Sequence, residues 1–175
     1  MKLRLIDRRS NRSWSLPDQL QQELERLCAR TGRPDWLVDL VLVDDDRMTT
    51  LNQHYRNQPT VTDVLSFSYL ESAGAGPPRL SGGDAFAATD LWWNPVTEES
   101  SAVVGEIALA TTFVRERCRT SGWDDETEIA MLTIHGILHI LGWEHDDPET
   151  TDAMRTAESE LLAHVGRTHP LTEGE

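Results

Sequence analysis

Between Asp125 and Leu141 the chain carries Ile129, Met131, Leu132, Ile134, Ile137, Leu138, Ile140 and Leu141, apolar residues spread nearly all the way round a helix. A helix of that kind must be buried on most of its surface, so the rest of the chain has to pack around it. Two histidines interrupt it. His135 and His139 stand four residues apart, so their imidazoles project from one face, one turn above the other. Polar rings in such surroundings are costly without partners. Gly136 removes a side chain beside the pair at about 1 kcal/mol of helix propensity. Gly142 can adopt the left-handed conformation that ends a helix, and the returning chain can present His145 to the same point.

Three neutral imidazoles round one point, with a fourth position open, form the pattern of a catalytic zinc site; structural sites more often use four ligands with cysteine. Neither Cys28 nor Cys118 is nearby in sequence. The expected ligands are therefore His135, His139 and His145, holding one Zn2+ per chain, although other borderline divalent metals suit such donors. The plainer alternative makes His135 and His139 hydrogen-bonded core residues; the glycine turn and third histidine weigh against it. The H-x3-H-x5-H spacing is also that of metzincin proteases, in which a glutamate follows the first histidine as general base. Here Gly136 occupies that position and cannot move a proton, which argues against peptide hydrolysis by that route.

The remaining pattern predicts a single α+β domain over residues 1–175, with about four strands in a mixed sheet packed with about five helices and the zinc site on the central apolar helix. Strands are expected at 2–6, 36–43, 63–67 and 102–110, and helices from Pro17 to Gly32, around Met48 and Leu51, from Thr111 to Thr120, over 125–141, and from Pro148 to Gly166. Asp147-Pro148-Glu149 reads as N-cap, N1 and N2 of the last helix, with Ala153, Met154, Ala157, Leu161 and Leu162 as its buried stripe. Asp44-Asp45-Asp46 reads as a cap and first turn rather than a metal site. Residues 71–101, rich in glycine and proline and holding Trp92-Trp93, read as a flexible insertion.

Charge restricts the partners. The net charge of −14 disfavours non-specific binding to nucleic acid, although Lys2, Arg4, Arg8, Arg9 and Arg12 make a local basic cluster. No apolar run approaches the roughly 18 residues of a membrane span. Met1 leads straight into Lys2-Leu3-Arg4, without the apolar stretch of a signal peptide, so a cytoplasmic protein is expected. No phosphate-loop, dinucleotide or nucleophile-elbow motif is present.

His135-Gly136-Ile137-Leu138-His139-Ile140-Leu141-Gly142-Trp143-Glu144-His145 resembles the signature of the YbeY family of bacterial endoribonucleases and ribosomal RNA maturation factors. Two further stretches agree: Asn52-Gln53-His54-Tyr55-Arg56, and Thr62-Asp63-Val64-Leu65-Ser66-Phe67. Gly105-Glu106-Ile107, Met154 and Glu158 fit as well. Trp143-Glu144, Ile140 and Glu106 depart mildly from the pattern, and none removes a ligand. The resemblance implies a zinc-dependent, single-strand-preferring endoribonuclease that matures the 3′ end of small-subunit ribosomal RNA and serves late quality control of that subunit. It implies ribosomal RNA and the small ribosomal subunit as partners, with a ribosome-assembly GTPase and small-subunit proteins beside them. Position by position, His135, His139 and His145 become the metal ligands and Arg56 the arginine of the catalytic cleft.

An arginine suits that place, because its guanidinium fork can hold a phosphate and offset transition-state charge. The bland alternative is a loop-bracing cation. Asp63 and Glu106 are candidates to orient a ligand histidine or to cap strands, and Glu144 and Asp146 to act as acid or base or to brace the turn. His54, His164 and His169 match no ligand spacing. Two other functions stay open at this stage: an assembly factor with a metal site and little free nuclease activity, which the acidic balance favours, and a zinc hydrolase acting on another substrate.

Overall fold

A computed structural model describes residues 1–70 and 102–170; the expected insertion at 71–101 lies outside them, as do residues 171–175. Among the described residues four strands and five helices follow in the order β1 (Lys2–Asp7), α1 (Asp18–Arg30), β2 (Trp36–Leu42), α2 (Asp45–Arg56), β3 (Val64–Ser68), β4 (Ala102–Leu109), α3 (Thr111–Ser121), α4 (Asp125–Ile140) and α5 (Pro148–Ala163). The strands form one mixed sheet in the order β1-β2-β4-β3. β1 and β4 both run parallel to β2, and β3 closes the edge antiparallel to β4.

The run Leu40-Val41-Leu42-Val43 in and just after β2 explains why helices lie on both faces. An unbroken apolar run has no polar side to turn to water. Leu40 and Leu42 enter the larger core with Leu20, Leu24 and Leu27 of α1 and Ile134 and Ile137 of α4. Val41 and Val43 join Met48 and Leu51 of α2, Leu65 and Ala108 on the opposite face. The expected sheet and helices are thus present, with α2 on the second face and Phe113 of α3 packed beside it.

α4 is the central element. Its N-cap Asp124 accepts a hydrogen bond from the Thr127 amide at 2.9 Å, and Asp125, Glu126 and Glu128 in its first turn favour the positive end of the helix dipole. Ten of its residues are buried, and a fully buried Leu or Ile side chain contributes about 1.5–3 kcal/mol. Two glycines set how closely it meets the sheet. A Cβ on Gly136 would stand 3.0 Å from three carbons of Ile107 in β4, and one on Gly105 would stand 2.6 Å from the Phe67 carbonyl and 2.8 Å from Ile140. Gly136 therefore faces the strand, and the sequence expectation that it clears space beside the imidazoles is corrected. Ser68 donates to the Ile140 carbonyl at 2.8 Å, satisfying one of the last carbonyls of α4.

α5 begins as expected. Asp147 accepts from the Thr150 amide while the Thr150 hydroxyl closes the reciprocal bond, with Pro148 in the first turn. Its buried residues, however, are Met154, Glu158 and Leu162, each four apart. A carboxylate thus lies in the inward stripe, and Ala153 is exposed.

Candidate metal centre

His135 and His139 share one face of α4, and the chain turns at Gly142, whose φ is 90°, to bring His145 back over them. One ring nitrogen from each histidine lies within 4.8 Å of the other two, and the three ring centroids are 4.5, 4.9 and 5.4 Å apart. The Nε2 atoms of His135 and His139 face each other at 3.1 Å. Two imidazole nitrogens held about 2.0–2.1 Å from a tetrahedral zinc stand about 3.3–3.4 Å apart, so this pair is already near that spacing. The three histidines predicted as ligands are brought together, and the cluster can hold a metal ion.

The other nitrogens of the two helical rings are tied down. His135 Nδ1 is 2.7 Å from Glu158 Oε1, and His139 Nδ1 is 2.9 Å from the Trp143 carbonyl. A proton on each Nδ1 leaves the Nε2 lone pairs directed inward, which is how proteins fix the tautomer of a metal-binding imidazole. Burial, and then the neighbouring His135 and His145, push the His139 pKa down to about 4. Its ring is therefore neutral at pH 7, as a ligand must be.

The sequence places Glu158 only within a family pattern and assigns it no role. Its second oxygen, Oε2, lies 3.1 Å from Nε2 of His169, which is buried at 2% exposure. Burial would raise the Glu158 carboxyl, but the two histidine hydrogen bonds outweigh it and hold the pKa below the ordinary value. A signal for this residue was available. A lone acid four residues from Met154 and four from Leu162, on a buried stripe, needs a cationic or hydrogen-bonding partner.

Arg56 ends α2, is exposed, and is among the charges that depress the His139 pKa, so it lies within electrostatic reach of the triad. The other candidates scatter. Asp63 accepts from Arg117 and from the Val64 amide, both at 2.8 Å. Glu106 is buried and takes a hydrogen bond from Tyr69, and burial raises its pKa. The exposed Glu144 stands 3.9 Å from His139 Nδ1, farther than the Trp143 carbonyl that binds it. Asp44 accepts from the amide and hydroxyl of Ser10, and Asp45 from the Phe113 amide; the aspartate run therefore braces loops, with no side-chain cap bond from Asp44. In the basic cluster, Arg4 forks onto Asp39 and Arg9 is buried against Asp7 and Thr111, so both serve the fold. Cys28 and Cys118 are free and buried, and burial raises their thiols to about 12 and about 11. No helix among the described residues is long and apolar enough to cross a membrane.

Beside the triad a groove of about 330 Å3 runs between α4 and α5, reaching His135, His145, Met131, Met154 and Arg155. The arrangement therefore combines a ligand set of three imidazoles, two of them braced from behind, an exposed arginine nearby and an adjoining cleft. That is the layout of a metal-assisted site for an anionic substrate.

Comparison with known proteins places the chain in a family. The profile of a family described as Endoribonuclease YbeY matches residues 6–166. A protein named Endoribonuclease YbeY from Sulfurovum sp. (strain NBC37-1) is 33% identical over 131 residues, covering 74% of this chain and 72% of its own. A protein of the same name from Streptococcus pneumoniae (strain Hungary19A-6) is 30% identical over 172 residues, covering 96% and 99%. The solution structure of a Thermotoga maritima protein shares the fold, with a TM-score of 0.52 at 22% identity over 99% of both chains. With the family profile matched over residues 6–166 and a relative 30% identical over 96% of this chain, the chain belongs to the YbeY endoribonuclease family.

Proposed function

We propose that the protein is a zinc-dependent endoribonuclease that cuts single-stranded RNA during maturation of the small-subunit ribosomal RNA 3′ end and takes part in late quality control of that subunit. One observation carries the reading: three imidazoles converge on one point, two with their outer nitrogens anchored, in a chain of the YbeY family. Three nitrogen donors suit zinc, and when bound it supplies Lewis acidity towards a phosphoryl oxygen and acidifies water.

The chain's own groups have separate tasks. Glu158 accepts from Nδ1 of His135, which fixes that ring's tautomer and orientation; the Trp143 carbonyl does the same for His139. Arg56 is the proposed catalytic residue, its guanidinium gripping the scissile phosphate and offsetting the charge that grows on it. RNA brings its own 2′-hydroxyl, so the protein need not provide a nucleophile. Ribosomal RNA in the small subunit, with a ribosome-assembly GTPase and small-subunit proteins, is the proposed setting, in the cytoplasm; two free buried thiols suit a reducing compartment.

The net charge of −14 favours a second version, an assembly factor with little activity on free RNA. Incubating purified protein with single-stranded and duplex RNA, before and after chelation and zinc reloading, separates them. Cleavage confined to the single strand, lost with chelator or in His139→Ala and restored by zinc, is expected of the nuclease. A metal-loaded protein that cuts no RNA but co-sediments with small subunits would favour the assembly version.

A further inference from the structure

We propose that the groove between α4 and α5 is a nucleoside subsite, seating one unpaired base next to the histidine triad while Arg155 holds the adjoining phosphate. The proposal rests on the endoribonuclease reading and assigns its substrate a position.

The walls suit a base. Val64, Met131, Leu132 and Met154 line the groove, and thioethers make favourable contacts with aromatic rings. Its volume, about 330 Å3, lies at the small end of ligand pockets, about 300–1,000 Å3. It accordingly takes a single base and sugar. A base still stacked in a duplex is not free to enter, whereas the splayed bases of a single strand are. The polar groups also fit. His135 and His145 line the same groove, so an occupant lies directly against the metal centre.

Charge names the occupant as anionic. Most described arginines are ion-paired, from Arg4 with Asp39 to Arg167 with Glu23. Arg155 lines the groove, is exposed, and has no hydrogen bond or ion pair from its guanidinium among the described residues. The acids beside it are already engaged: Asp63 by Arg117, and Glu158 by His135 and His169. An uncommitted guanidinium at the rim of an apolar groove matches a nucleotide, with an apolar base and a charged phosphate.

The test is fluorescence anisotropy of zinc-loaded protein with a labelled single-stranded 2′-O-methyl oligoribonucleotide, checked intact afterwards, over a range of salt. Arg155→Ala is expected to weaken binding about tenfold, the worth of one charge-assisted hydrogen bond, and to reduce the slope of log K against log salt by about 0.7. Met131→Trp, which fills the groove, is expected to weaken binding with zinc content unchanged. Arg30→Ala, an exposed arginine at the end of α1, controls for lost charge and is expected to match wild type. An Arg155→Ala protein with wild-type affinity and slope, while wild type still cleaves RNA, overturns the subsite and leaves the nuclease standing. An Arg30→Ala loss equal to that of Arg155→Ala also overturns it, since the effect would then be general charge. If wild type neither binds nor cleaves single strands, the nuclease reading fails and takes the subsite with it.

Discussion

The two ends of α4 handle buried polarity in opposite ways. At the N-terminal end carboxylates meet guanidinium groups. Glu128, 3% exposed, accepts from Arg117, which also holds Asp63, and Arg167 gathers Glu23, Asp124 and Glu126. Each carboxylate there has a guanidinium partner, so the charged groups of that end are committed to one another. At the C-terminal end three imidazoles turn nitrogens towards one another while the outer nitrogens of two are held by Glu158 and a backbone carbonyl. Hydrogen bonds there aim the donors at one point. The lesson is that a buried polar cluster indicates function when its partners direct lone pairs to a common point. A cluster whose carboxylates are taken up by guanidinium partners indicates structure.

The contrast breaks most sharply with His139→Ala. Elemental analysis is expected to fall from about one zinc per chain to almost none, with the metal-free fold retained; full stoichiometry in the variant would end the metal reading. Arg117→Ala should do the reverse. It leaves Glu128 and Asp63 without their partner, and denaturant unfolding is expected to show a loss of about 2–3 kcal/mol with zinc content intact. That is below the 3–5 kcal/mol of a fully buried pair because Arg117 is 31% exposed.

Glu158→Gln keeps a hydrogen-bonding group but removes the charge behind His135. Chelator competition is expected to show zinc affinity reduced about 10–100-fold, and an unchanged affinity would mean that Glu158 only fills space. pH sharpens the contrast further. With the His139 pKa lowered from 6.5 to about 4, the unfolded chain takes up a proton between those values that the folded ring refuses. Metal-free protein should therefore lose stability as pH falls from 6.5 towards 4, and His139→Gln should flatten that part of the curve. The smallest effect belongs to Asp124→Ala at the N-cap, about 1 kcal/mol by thermal unfolding, with no change in metal binding.

Much of this was legible along the chain because it depends on neighbours in sequence. The apolar residues round 125–141 required a central helix, and α4 is that helix. The four-residue interval placed His135 and His139 on one face, and Gly142 supplied the turn that returns His145. Asp147-Pro148 gave the start of α5. The run Leu40–Val43 also carries a sign that both sheet faces are covered, since it has no polar side. Arg4, Arg9 and Asp44 were harder. Asp39, Thr111 and Ser10, which they meet, lie far away in sequence, although Arg9 also has a partner close by, in Asp7.

The sequence by itself therefore determined the donor set, its spacing and the helix that bears it, because helical period and turn conformation act over only a few residues. Only the tertiary structure decided what stands behind and beside those donors. Glu158 meets His135 across 23 positions of sequence, and Ser68 reaches the end of α4 across 72. Gly136 turned out to serve the contact with Ile107. Such pairings follow from how closely α4 and α5 pack against the sheet and each other, and periodicity within one element carries no information about the neighbour that its faces will meet.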